Sequence, residues 1–322
     1  MAVDHLDRCP PEICQTIFRM ACTDGGLTGC SLSLVSKYIH NASATARYQS
    51  VAICGPDALL PFISLLEPKC VSITSFCVQH FFFSRDRLST GDVPAEATGI
   101  RMTNADRRAR MHLQAKQIMA AIPRVLTLIG NHLKTLALAS TPPQDIPLPH
   151  NSLTALEELT IFASARCHVT WIPEEHPTLP SLRRLHLAGP KVDLPNGLKL
   201  APSLTHLRLS GMDEIIMIPQ LLKAVPGLCL GGEEFPSPST PHPLQSIRQI
   251  QIHRIPRSLG FGVVRQAYRS ACSRTEEFLA DHPSDKVSLT NGNLREVRKH
   301  IAMEARMIWQ DRLKGGLGCW TE

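Results

Sequence analysis

Cys167 and His168 stand side by side, and a thiolate beside an imidazole is the smallest equipment for nucleophilic hydrolysis. Adjacency along a chain does not bring a sulfur and a ring nitrogen within hydrogen-bond reach, so the pair earns no catalytic role. The 14 histidines and 11 cysteines could in principle hold a metal. They are scattered, without a Cys-x-x-Cys pair or a His-Glu-x-x-His helix, so structural histidines and reduced thiols packed as small apolar groups are expected instead. Glu157-Glu158, Glu174-Glu175 and Glu233-Glu234 are neighbours in the chain, not carboxylates facing each other across a cleft, which acid and base catalysis on one bond would need. Gly260-Phe261-Gly262-Val263-Val264-Arg265 starts like a dinucleotide loop, then puts arginine where a third glycine must let helix and strand close together. No phosphate loop and no Gly-x-Ser-x-Gly elbow occurs. The chain is expected not to be an enzyme: no catalytic residue, no cofactor and no metal site is assigned.

The remaining chemistry is that of surfaces. In residues 7–22, Pro10 and Pro11 occupy a first helical turn that tolerates missing N–H donors, and Glu12 complements the positive helix end. Ile13, Ile17 and Ala21 then form one stripe until Asp24-Gly25-Gly26 ends the helix. Leu32, Val35 and Ile39 recur at spacing for a second short helix, and residues 42–49 could form a third. Three such helices cannot bury their apolar faces alone. They either pack on the rest of the chain as a helical hairpin or keep a face for a partner.

Cys9-Pro10-Pro11-Glu12-Ile13, followed by Ile17-Phe18 and by Leu32-x-x-Val35, resembles the F-box, and the run from Thr23 to Tyr38 looks like fungal F-box-like proteins. Cys9 stands where the family carries leucine, and the family's tryptophan after the second helix is absent, with Tyr38 or Tyr48 the nearest aromatic. The resemblance covers about 45 residues. It implies docking onto a Skp-type adaptor of a cullin–RING ubiquitin ligase, a helix-in-groove contact. On that reading Ile13, Ile17, Phe18, Leu32 and Val35 supply apolar contact, and Pro10 and Glu12 set the helix start.

A Leu-x-x-Leu-x-Leu pattern with aliphatic substitutions follows, at Leu133/Leu136/Leu138, Leu156/Leu159/Ile161, Leu182/Leu185/Leu187, Leu204/Leu207/Leu209, Val225/Leu228/Leu230 and Ile247/Ile250/Ile252, with an earlier copy at Ile73/Phe76/Val78. Chance matches are frequent in so aliphatic a chain, so the spacing carries the argument: the middle residues from Leu136 advance by 23, 26, 22, 21 and 22, within the leucine-rich-repeat period. The last two aliphatics of each copy would point inward from a short strand, and stacked copies would build a parallel sheet. The family's asparagine ladder is missing, which makes this similar to the degenerate leucine-rich arrays of many F-box proteins. An α/β domain with uneven parallel strands is the alternative.

Residues between the inward leucines should face solvent: Glu158, Thr160, Arg184, His186, His206, Arg208, Gln249, Gln251 and His253. They are the candidate target-binding surface, since solenoids use their concave side for partners. A merely solvated sheet face would read the same way.

Residues 111–129 resume helical spacing, with Pro123 expected to kink or split the helix. Leu294, Val297, Ile301, Ala305 and Ile308 form a stripe expected to close the far end of the array, and the Trp309-to-Trp320 tail looks like that of the same fungal group.

The expected fold class is therefore α/β: an F-box-like helical module (1–55), an irregular leucine-rich-repeat solenoid with a parallel sheet (56–290, interrupted at 80–130), and a C-terminal capping helix and tail (291–322). The expected function is the substrate-recognition subunit of a cullin–RING ligase, with an unidentified protein target. Its first rival is a ligase-independent repeat scaffold; an unrecognised enzyme is the least favoured. The net charge of +6, from 34 basic and 28 acidic residues, is mild. The second and weaker rival is a basic nucleic-acid binder using Arg101 to Lys116 and Arg295 to Lys314; those stretches interleave acids and aromatics are sparse, so nucleic acid is not the expected partner. No stretch is long and apolar enough for a membrane span, and the cytoplasm or nucleus is the expected location.

Overall fold

The aliphatic spacing resolves into ladders of parallel strands. The computed structural model describes residues 9–67, 77–86, 103–141, 153–163, 168–169, 179–189, 191–192, 198, 200–211, 246–254, 263–281, 285–291 and 294–320. It divides into two units, residues 1–142 with 302–322, and residues 143–301. Every strand pairing among the described residues is parallel, and helices lie in the connections. The fold is α/β.

The first unit opens with α1 (Pro11–Ala21), α2 (Leu27–Leu32) and α3 (Lys37–Ala42). Pro10 is the N-cap of α1 and Pro11 its first residue, as the missing N–H groups suggest. The expected single helix through Leu32, Val35 and Ile39 is in fact broken. Ser36 adopts extended backbone and its side chain accepts from the Ile39 N–H, starting α3 afresh. The third helix expected over 42–49 is a series of turns that ends in β1 (Ser50–Cys54).

After α4 (Leu59–Leu66), β2 (His80–Ser84) and β3 (Thr135–Thr141) complete a row in the order β1-β2-β3. In register, Val51, Phe81 and Leu136 line up on one face, as do Ile53, Phe83 and Leu138, all of them buried. Phe81 stacks on Phe62 of α4 at 6.1 Å between ring centres. The early repeat copy is thus displaced from its expected place: β2 uses Val78, Phe81 and Phe83, while Ile73 and Phe76 lie outside the described residues.

Between β2 and β3, α5 (Asn104–Ile129) runs unbroken through Pro123, contrary to the expected split. Its buried residues Ile118, Ile122, Val125, Leu126 and Ile129 make one stripe, and burial of each large aliphatic side chain contributes about 1.5–3 kcal/mol, which offsets the one lost backbone bond. Thr103 and Asp106 form a capping box at its start: the Thr103 hydroxyl accepts from the Asp106 N–H at 3.1 Å, and the Asp106 carboxylate accepts from the Thr103 N–H at 3.2 Å. Thr103→Ala should cost about 1 kcal/mol, read as faster amide exchange confined to the first turns of α5.

In the second unit, β4 (Glu158–Ala163), β6 (Arg184–Ala188), β8 (His206–Ser210), β9 (Gln249–Arg254) and β10 (Val287–Asn291) pair in that order, and β5 (His168–Val169) pairs with β7 (Lys191–Val192). Leu159, Leu185, Leu207, Ile250 and Val287 form one rung set, and Ile161, Leu187, Leu209, Ile252 and Leu289 the next. The lead-in residues Leu156, Leu182, Leu204 and Ile247 are buried as the repeat pattern requires.

The steps between those register partners are 26, 22, 43 and 37 residues, so the period is kept and then lost. β8 pairs directly with β9, and the copy expected at Val225/Leu228/Leu230 lies outside the described residues. Beside β9, α6 (Val263–Asp281) receives the buried Arg254, whose guanidinium donates to Glu276 Oε1 at 2.5 Å and to the Cys272 carbonyl at 3.0 Å.

The last helix is α7 (Leu294–Leu313). Its part from residue 302 onward belongs to the first unit. There Ala302, Ala305 and Trp309 are buried, and Trp309 meets Phe82 of β2 with 5.5 Å between ring centres.

Candidate protein-docking faces

An α-helix places residues i, i+4 and i+7 on one stripe, and α1 carries two apolar stripes side by side. Cys14 and Phe18 of the first point into the helical module, where they pack with Cys22, Ile39, Ala42 and Ala46, and with the partly buried Cys9, Leu32 and Tyr38. The Tyr38 hydroxyl donates to the Cys9 carbonyl at 2.5 Å, tying the residue before the α1 N-cap to α3. Cys9 packs, partly buried, against this small core.

The second stripe is open. Ile13 is 51% exposed, Ile17 52% and Met20 77%, although all three are residues that folding usually buries. Leu27 on α2, and Leu34 and Val35 in the turn before α3, are exposed as well, Val35 to 61%. A shallow groove lined by Ser33, Leu34, Ser36, Lys37, His40 and Asn41 lies at that turn.

The sequence-derived adaptor set thus separates by position. Ile13, Ile17 and Val35 are free surface, and Pro10 and Glu12 are exposed at the helix start. Phe18, 6% exposed, lies in the module's core, and Leu32 is half-buried against it. Met20, Leu27 and Leu34 are further exposed large apolar residues that the sequence reading did not single out. Met20 continues the Ile13/Ile17 stripe by one turn, whereas Leu27 opens and Leu34 follows a helix only six residues long, too short to show a period.

The target-binding set fares differently. Pairing registers Glu158, Arg184, His206 and Gln249 in one row and Thr160, His186, Arg208 and Gln251 in the next, with His253 beside Ser210. The strand alternation is as expected, but the solvation is not. Glu158, Thr160, His186 and Gln251 are buried, and Arg184, His206, Arg208, Gln249 and His253 are half-buried. The physical reason is that polar residues on a strand can bond to one another across the ladder in place of water. His186 Nε2 shares a hydrogen bond with Ser210 Oγ at 2.9 Å, and its ring meets Phe162 edge-on at 5.0 Å. Arg208 Nη1 donates to Gln251 Oε1 at 3.0 Å, and His253 Nδ1 lies 2.9 Å from Thr290 Oγ1.

Burial first, then repulsion from the Arg208 charge and from His253 when it is protonated, holds the His186 imidazole well below its usual range. The row is a neutral-histidine polar core with arginine at its edge. In the first unit the corresponding row is Ala52, Phe82 and Ala137, covered at Phe82 by Trp309.

No group of three or more metal-ligating side chains occurs among the described residues, and no described helix is long and apolar enough to cross a membrane. Cys167, Glu174, Glu175, Glu233, Glu234 and residues 260–262 lie outside the described residues. Compared with known proteins, the chain matches no family model, no curated protein and no solved structure.

Proposed function

We propose that this chain is an F-box-like substrate receptor of a cullin–RING ubiquitin ligase, docking a Skp-type adaptor through α1 and the α2–α3 turn. The observation that carries the reading is the division of labour on α1: Cys14 and Phe18 complete the module's own core, leaving Ile13, Ile17 and Met20 exposed beside Val35. Exposed aliphatics on a helix already anchored from its other side suit a groove-binding contact. The repeat strands of the second unit would then form the target-binding part, with the half-buried Arg184, His206, Arg208, Gln249 and His253 the nearest to its surface.

The test is co-purification of the full chain with a Skp-type adaptor, compared with the double variant Ile17→Asp, Val35→Asp. Both positions are solvent-exposed, so the variant should keep its far-UV spectrum and melting temperature. Burying two unpaired carboxylates in an apolar contact should weaken adaptor binding by about 100-fold or more. Binding at native affinity in the double variant overturns the assignment. Absence of adaptor binding by the parent chain leaves the ligase-independent repeat scaffold as the reading.

A further inference from the structure

We propose that residues 302–320 form a clasp on the α1–α2 connection, so that the exposed stripe of α1 is positioned by the other terminus of the chain. The contacts converge on three residues. Gln310 Nε2 donates to the Asp24 carbonyl at 3.1 Å. Trp309 lies over Phe82, whose register neighbours Ala52 and Ala137 are small enough to make room for an indole. Gly25, at φ +86°, fills the remaining space: a Cβ there would come within 2.7 Å of the Ala52 Cβ and 3.4 Å of the Trp309 ring. A Cβ at position 25 would therefore collide with Ala52 on the strand and come against the Trp309 ring of the clasp.

From this point the contacts pass directly into both helices. The Asp24 carboxylate accepts from the Thr28 N–H at 2.8 Å and the Thr28 hydroxyl at 2.6 Å, which fixes the start of α2. Gly25 N–H donates to Ser50 Oγ at 3.1 Å, and the same hydroxyl donates to the Cys22 carbonyl at 2.7 Å, just past α1. The Gly25 carbonyl accepts from Ala52 N–H at 3.0 Å, so the connection lies on β1 like a short extra pairing.

The clasp is itself closed. Arg312 Nη1 donates to the Gly316 carbonyl at 2.7 Å, Gly318 N–H to Asp311 Oδ2 at 2.8 Å, and Cys319 and Trp320 are buried. Gly316 leaves the Asp311 carboxylate the room that a Cβ would occupy, 2.3 Å from Oδ2. The spacing of tryptophans and glycines in the tail thus has a physical role: it folds the chain back after α7 and keeps Trp309 pressed on Gly25 and Phe82.

The consequence for adaptor docking rests on the proposed function above; the clasp itself does not, and the experiment separates the two. Amide exchange of the full chain is followed by mass spectrometry in the parent, Trp309→Ala and Gln310→Ala. Exchange in peptides covering residues 22–30 should accelerate about tenfold or more in Trp309→Ala and about fivefold in Gln310→Ala, the loss of one hydrogen bond, while peptides of β6 and β8 remain as protected as in the parent. Should Trp309→Ala also lose protection in β6 and β8, Gln310→Ala decides alone. Parent-like exchange of residues 22–30 in Gln310→Ala, or in a folded Trp309→Ala, overturns the clasp whatever the adaptor does. With the clasp upheld, weaker adaptor capture by Trp309→Ala links it to docking, and a parent chain that captures no adaptor refutes the docking reading alone.

Discussion

Phe18→Ala is expected to cost about 3–5 kcal/mol, the range for truncating a buried phenylalanine, whereas Ile17→Ala, one residue away, should change stability by no more than about 0.5 kcal/mol. Phe18 is 6% exposed and packs with Cys14, Cys22, Ile39, Ala42 and Ala46; Ile17 is 52% exposed on the open stripe. The helical module holds few large apolar side chains, so removing its one phenylalanine leaves a cavity that cysteines and alanines cannot collapse to fill. Set against a typical total stability of about 5–15 kcal/mol, the loss should melt α1 and α3 locally before the rest of the chain. Urea unfolding combined with amide exchange of α1 and α3 measures it. Equal costs at the two positions would mean that the two stripes do not have separate jobs, and the docking reading would lose its main support. Adaptor capture should fall in both variants, but only in Ile17→Ala while the fold persists.

How far the sequence could be read follows from the length of each signal. The strands were legible because a period of two repeated in register across β4, β6, β8 and β9 leaves aliphatic residues at fixed offsets, and Leu185, Leu207 and Ile250 fall where that pattern puts them. It failed at the edges of the array. Phe81-Phe82-Phe83 has no alternation, since Phe82 is covered by Trp309 while Phe81 stacks on Phe62, and a strand buried on both faces loses its period. The same blindness hid the buried polar row. Nothing in the alternation of Thr160, His186 and Gln251 distinguishes a side chain bonded to water from one bonded to its neighbours.

On the candidate site, the start of α1 was legible from Pro10, Pro11 and Glu12. The partition between Phe18 and Ile17 was not, because adjacent stripes 100° apart are equally apolar and only the tertiary partner Ile39 tells which one is spent. The position of α7 was beyond reach for another reason: Gln310 and Asp24, like Trp309 and Phe82, are far apart in sequence, and no local pattern records a contact at that separation.

Acidification from pH 7 to pH 4 should remove about 3 kcal/mol of stability through His80 alone, with a further loss through His186. His80 on β2 is mostly buried, its Nδ1 lies 3.0 Å from Thr135 Oγ1, and burial followed by the nearby Lys134 charge pushes its imidazole down to about 4. An unfolded histidine titrates near 6.5. Between those values the unfolded chain binds a proton that the folded chain refuses, so stability rises with pH across the window. It is fully present above about pH 6.5, falls as pH drops, and levels off once the folded ring also protonates near pH 4. A difference of about 2.5 pH units at about 1.4 kcal/mol per unit sets a ceiling of about 3.5 kcal/mol, and at pH 4, where the folded ring is itself half protonated, about 3 kcal/mol of it has been lost. His186, held down by full burial and then by Arg208 and His253, adds loss of the same sign in the second unit. The two contributions are separable. His80→Gln, which keeps a donor for Thr135, should flatten the acid slope of exchange in β2 and β3, and His186→Gln should do so in β6 and β8. Identical acid slopes in parent and both variants would show that neither imidazole is neutral by virtue of the fold, and would return the row Thr160, His186, Arg208 and Gln251 to the status of an ordinary wet sheet face.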